Sequence, residues 1–181
     1  MTAALGQLEL RRVFAAYPTG VAALAALVDG APRGIAASSF VPVSLNPPLV
    51  SICVAQTSTT WPVLRAAPRL GISVLAAHQE RAGRQLGARD GERFAALPWT
   101  ATAAGAVRIC GASAWLDCTL EREIPAGDHD IVLLRIRDLA LAAGDVPPLI
   151  FHGSTYRRLQ PGGRHDDRPA SVVETAPRRA C

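Results

Sequence analysis

Two clusters of hydroxyls and one histidine between acids are the residues whose types and spacing could do chemistry in this chain. Ser38 and Ser39 follow the small residues Ala36 and Ala37, and Thr57, Ser58, Thr59 and Thr60 follow an apolar run from Leu49 to Ala55. Small residues let a flat ligand come close to the backbone, and hydroxyls hydrogen-bond without bulk. Pro42, Pro47 and Pro48 lie between the clusters and stiffen the connecting loop by fixing φ. Ser58 to Thr60 could also cap a short helix whose free N–H groups suit a phosphate. The same stretch, 34 to 61, reads equally as a strand, a proline-rich loop and a second strand with no ligand. His129 sits in Gly127-Asp128-His129-Asp130, where the flanking carboxylates could hold its ring in place; the alternative is a solvated turn residue.

Other chemistries are excluded or disfavoured by what is missing. All 19 lysine-or-arginine positions are arginine, so neither a Schiff-base lysine nor a P-loop lysine is available. No G-x-S-x-G elbow occurs and no serine adjoins His129, which sets aside a Ser/His/Asp hydrolase. No G-x-G-x-x-G follows a strand, so a nicotinamide would have to bind by an architecture other than the usual dinucleotide fold. Cys53, Cys110, Cys118 and Cys181 form no C-x-x-C pair. They read as reduced, mostly packed thiols with no metal site, Cys53 as part of the core. The net charge of +4 is spread thinly and forms no basic face interleaved with aromatics, which argues against nucleic acid.

The chain length of 181 residues, 49% hydrophobic and 19% charged, suits one globular domain. The longest apolar run, Val21 to Val28, is too short to span a bilayer, and the N-terminus lacks the order of a secretory signal, so a cytoplasmic protein is expected.

The elements that must position these residues follow from periodicity and punctuation. Leu8 to Ala16 reads as a short amphipathic helix ending before Pro18. Val21 to Val28 is a strand, Asp29-Gly30 a hairpin turn, and Arg33 to Ser39 the returning strand. Leu49 to Ala55 has the length of a buried strand. Trp61 to Ala67 suits a helix with Pro62 in its first turn, Leu70 to Ala76 a strand, and His78 to Leu86 a helix. Phe94 to Trp99 is an aromatic-tipped loop. Ala114 to Glu121 alternates as a half-buried strand does, 123 to 130 reads as a charged turn, and 130 to 141 as a less regular strand. Leu149 to His152 and Thr155 to Leu159 are the last strands. Many short strands with few helices indicate a mainly β, barrel-like domain over 1–159. Residues 160–181, rich in proline, glycine and mixed charge, read as a disordered tail.

The pieces PTGV at 18–21, G-x-A-A-S-S-F at 34–40, VSLNPPL at 43–49, S-T-T-W at 58–61, GISVLAAHQ at 71–79, RF at 93–94, PAGDHDI at 125–131 and PLIFHGSTYRRL at 148–159 come in an order and spacing that resembles the flavin reductase-like family. Departures are few: Ala36 and Ala37 stand where Thr or Met followed by Ala is common, and Ser73 where Asn is frequent. The resemblance implies an FMN-binding split barrel, six-stranded, antiparallel and of Greek-key type. It implies homodimers and hydride transfer from NADH or NADPH to FMN or FAD. Reduced flavin would then pass to a separate monooxygenase or halogenase. A flavin-binding or carrier protein on the same barrel is the alternative.

Residue by residue, the resemblance implies that Ala37, Ser38 and Ser39 lie against the isoalloxazine. Cys53, Val54 and Ala55 would line the ring and ribityl chain, and Ser58 and Thr60 would receive the phosphate. His129 would engage the nicotinamide or the flavin edge where charge grows on reduction. His152, Gly153, Tyr156 and Arg157 would close over the pocket, with Gly153 giving room for flat rings. Phe94 is expected among the cofactor-binding residues and, with Arg93, at the subunit interface. Trp99 and Trp115 are expected to be core or dimer packing.

Overall fold

The computed structural model describes residues 5–159. The expected tail at 160–181, and Cys181 with it, lie outside them. Helix α1 (Gln7–Ala15) leads through β1 (Thr19–Gly20) into β2 (Ala22–Val28) and β3 (Ala31–Ala37). Asp29 and Gly30 adopt φ of 51° and 76°, the left-handed pair that a two-residue hairpin requires. Next come β4 (Val41–Leu45), β5 (Pro48–Ala55), α2 (Trp61–Leu64), β6 (Leu70–Val74) and α3 (Glu80–Gly87). The chain continues through β7 (Trp99–Ala101), β8 (Val107–Ile109) and the long pair β9 (Ala114–Ala126) and β10 (His129–Leu141). It closes with β11 (Leu149–His152) and β12 (Thr155–Arg158).

The main sheet has seven antiparallel strands in the order β3-β2-β6-β9-β10-β5-β4, which corrects the expected six-stranded barrel. Its edges, β3 and β4, share no ladder, so backbone pairing leaves the barrel open. The sheet is nonetheless strongly curled. Leu24 of β2 and Ile52 of β5 lie four strands apart in that order yet share one buried cluster with Val54, Ile72, Cys118, Val132 and Leu134. Only a curled sheet brings them together. Helix α2 plugs this interior with Trp61 and Leu64. It is tethered to β9 because Trp61 Nε1 donates to Glu123 Oε1 at 2.7 Å and Arg65 pairs with the same carboxylate at 2.9 Å. The helix stops at Leu64, short of the expected Ala67.

A second cluster lies on the opposite side of β2 and β6. Val21, Ala23 and Leu75 meet Ala82 and Leu86 of α3, Ile109 of β8 and Leu149 of β11. Strand β8 crosses β6 so closely that a Cβ on Gly71 would stand 1.9 Å from the carbonyl oxygen of Val107. Buried Ser73 accepts the amide of Ile109 at 3.0 Å, so serine at this departure from the family pattern has a structural partner. Trp115 is buried nearby with the Arg108 guanidinium 5.1 Å from its ring centroid. Trp99 packs against the second cluster.

The turn expected over 123–130 narrows to Gly127-Asp128, since Ala126 already pairs with His129. Among the described residues no helix is long and apolar enough to cross a membrane.

Candidate functional site

Strand parity separates the three residues 53 to 55. Val54 points into the interior cluster and is 3% exposed, which corrects its expected place on a ligand surface. Cys53 and Ala55 therefore point outward. Cys53 is exposed, where a core position was expected. The register sets Ile131 opposite Cys53 and His129 opposite Ala55, so all four side chains share the outer face of the β5–β10 pair. Among the described cysteines, Cys118 is the buried one, and burial pushes its thiol up to about 12.

Ser39 joins this wall to the end of β3. Its Oγ accepts the amide of Cys53 at 2.9 Å and donates to the Cys53 carbonyl at 3.2 Å. One hydroxyl thus satisfies both polar groups of a peptide edge that no strand pairs. The Ser39 proton is thereby occupied, so its role at this site is to hold the wall in place. Ala37 ends β3 and Ser38 beside it is exposed. On β5 the outward side chains Cys53 and Ala55 are small, whereas pairing with Ala22 sets Ala37 on the interior face of β3.

His129 begins β10 immediately after the turn. Its Nδ1 is 2.7 Å from Asp128 Oδ1, and because a carboxylate can only accept, Nδ1 carries the proton. Nε2 is left as the free ring nitrogen on a side chain that is 45% exposed. The bond from His129 holds the Asp128 carboxyl below its ordinary range. Asp130 takes no part in this contact: it accepts from Gln56 Nε2 at 3.3 Å. Gln56 also donates its amide to the Asp128 carbonyl at 3.0 Å, securing the turn from the strand beside it. Gln56 carries no motif signal in the sequence.

At the entry to α2, Ser58 Oγ accepts the amide of Trp61 at 3.1 Å. Thr60 Oγ1 accepts from Arg93 Nη1 at 2.7 Å. The same Nη1 reaches the Gly34 carbonyl at 3.1 Å, while Nε and Nη2 donate to the carbonyls of Ala88 at 2.9 Å and Arg89 at 3.3 Å. Arg93 therefore binds three segments of its own chain. Phe94 packs beside it over Gly34, where a Cβ would lie 2.9 Å from its Cζ.

His152, Gly153, Tyr156 and Arg157 belong to a different structure, the β11–β12 hairpin. Gly153 and Ser154 form its turn with φ of 59° and 60°, so the turn itself calls for glycine at 153. The Gly153 amide donates to the Ala15 carbonyl at the end of α1, at 2.8 Å. Tyr156 is half-buried on α3, edge-on to Phe151 at 5.3 Å and with the Arg84 guanidinium 5.0 Å from its ring centroid. Burial raises its phenol. His152 and Arg157 are exposed. Within one chain, then, the expected site residues divide between the open wall and a hairpin packed on the second cluster. Among the described residues no three His, Cys, Asp or Glu side chains are grouped to hold a metal ion.

Residues 14–160 match the family model described as a flavin reductase like domain. The chain is 33% identical over 153 residues to the reductase subunit of a flavin-dependent monooxygenase from Rhodococcus jostii, covering 84% of this chain and 78% of that protein. It is 37% identical over 144 residues to a flavin reductase of Pseudomonas putida, covering 79% and 85%. Its fold superposes on an NADH:FAD oxidoreductase of Streptomyces globisporus, solved with NAD and FAD fragments, with a TM-score of 0.82 at 36% identity. That match covers 87% of this chain and 95% of the other.

Proposed function

This chain belongs to the flavin reductase-like family, and from that premise we propose that it is an NAD(P)H:flavin oxidoreductase, accepting FMN or FAD and delivering reduced flavin to a separate monooxygenase or halogenase. The observation that carries the reading is the outward face of the β5–β10 pair, with small Cys53 and Ala55 on β5 and His129 at its end. A planar ring fits such a surface, because the small side chains Cys53 and Ala55 let it approach β5 closely. When bound, the flavin supplies the hydride acceptor and the reduced nicotinamide the donor. The chain's own part is to place and hold them. Asp128 fixes the His129 ring, and Nε2 would be left to accept an N–H such as that of the nicotinamide carboxamide. Ser39 keeps the end of β3 against the wall.

The apolar side chains Leu8, Val13, Phe14 and Tyr17 on and beside α1 are all exposed in the single chain, which supports a homodimer. The β11–β12 hairpin of one copy would then reach the wall of the other, bringing His152, Tyr156 and Arg157 to the pocket. A cytoplasmic setting follows from the same reading.

Anaerobic stopped-flow mixing of the flavin-loaded protein with NADH or NADPH tests the proposal through loss of the flavin's visible absorbance. Bleaching within the mixing experiment is expected. Flavin that binds and stays oxidised would leave only the carrier role. Replacing His129 by Ala should leave the fold intact and lower kcat/KM for the nicotinamide about tenfold, the scale of one lost hydrogen bond. Unchanged kinetics would remove the histidine from the site.

A further inference from the structure

Thr60 is an unusual hydroxyl because its acceptor side faces a cation of its own chain. Arg93 Nη1 donates to Thr60 Oγ1 at 2.7 Å, and the three other guanidinium contacts, to Ala88, Gly34 and Arg89 carbonyls, hold that cation in one place. A hydroxyl has one proton to give. With a charged donor on its oxygen, Thr60 turns that proton outward, away from Arg93. Two residues earlier, Ser58 Oγ accepts the amide of Trp61, which frees its proton in the same way. Both side chains are thus set as donors. A sugar hydroxyl can either accept or donate and so needs no such polarity, whereas a dianionic phosphate takes only donors. α2 is a single turn, so the polarity of this seat comes from side chains.

We propose that Arg93 is a positioning residue for flavin phosphate, acting through Thr60. The proposal rests on the flavin reductase reading above and deepens it, since FMN and FAD both carry a phosphate on the ribityl chain and riboflavin carries none. The guanidinium also places a fixed positive charge behind the seat, and charge-assisted hydrogen bonds are about twice as strong as neutral ones. Nothing in the RF pair of the sequence reveals which hydroxyl the guanidinium meets.

Equilibrium dialysis of FMN and of riboflavin against wild type, Arg93→Met and Thr60→Val decides the matter. Wild type should bind FMN more tightly than riboflavin. Each variant should weaken FMN about tenfold while moving riboflavin less than about twofold, and the double variant should be no worse than the poorer single one. Arg93 also ties the backbone together, so Arg93→Met could lose structure; Thr60→Val keeps those carbonyl contacts and carries the test alone in that event. Equal weakening of both flavins in Thr60→Val, or no change in either, would overturn the phosphate role. Wild type that binds riboflavin as tightly as FMN would overturn it too, with the reductase reading untouched. Wild type that binds neither flavin would instead sink the reductase reading.

Discussion

Strands β2 and β6 are buried on both faces, whereas β5 and β10 in the same sheet are buried on one. Val21 and Ala23 face the second cluster while Ala22, Leu24 and Ala26 face the interior, and all five are at most 4% exposed. On β5 only Val50, Ile52 and Val54 are buried to that degree; Cys53 between them is exposed. The difference comes from what lies on top. α3, β8 and β11 cover the first pair, and among the described residues no helix or strand covers the outer face of the second. Two-sided burial builds the scaffold, and one-sided burial leaves a surface on which a ligand can rest.

The contrast breaks most readily at its covered half. Replacing Gly71 by Ala puts a Cβ where the Val107 carbonyl stands, so β8 must move off β6. A loss of about 3 kcal/mol is expected in urea unfolding, at the upper end of overpacking costs. Ala55→Leu, on the open half, should change unfolding by no more than about 0.5 kcal/mol. It should nevertheless weaken flavin binding or turnover about tenfold or more, because the added bulk displaces the ring. If the two substitutions cost the same stability, the distinction between the halves is wrong.

The smallest effect is expected at the far end of the open pair, where Arg135 holds Glu121 with bonds of 2.6 and 2.8 Å. The hydrogen bond from Arg135 lowers the Glu121 carboxyl below its ordinary 4.5. Its contribution is therefore present above that pH and lost as pH falls through the lower folded value. Glu121→Gln should shift Tm by no more than about 2 °C at neutral pH, since solvent screens such a pair. The difference should vanish in acid. A large shift would mean that this face is less open than its exposure indicates.

Two-sided burial was legible in the run Val21 to Val28, because a strand covered on both sides needs apolar residues at every position. The same logic misled at Leu49 to Ala55. That run is nearly as apolar, but its outward positions are Ser51, Cys53 and Ala55, small side chains that solvent tolerates. Only the pairing of Cys53 with Ile131 and Ala55 with His129 settles which side is which. The Asp29-Gly30 hairpin was readable because its φ values are a local demand. The acids on either side of His129 were readable, but not which of them it meets: Asp128 takes the ring, while Asp130 accepts from Gln56. The contacts of Ser39 and Arg93 join residues 14 and 33 positions apart, to Cys53 and Thr60, and no local pattern encodes them. The count of six strands came with the family resemblance, and β4, read in the sequence as part of a proline-rich loop, is a strand of the seven-stranded sheet.

The bond pair between Ser39 and Cys53 also keeps further strands off this edge. Beyond the reach of β4, the rim of β5 would offer an unmatched N–H and C=O, the template on which foreign chains add by augmentation and from which fibrils start. Serine fills both valences with a single side chain and presents nothing on which a further strand could propagate. The protein can therefore leave that margin bare for a soluble visitor without inviting strand-by-strand growth there.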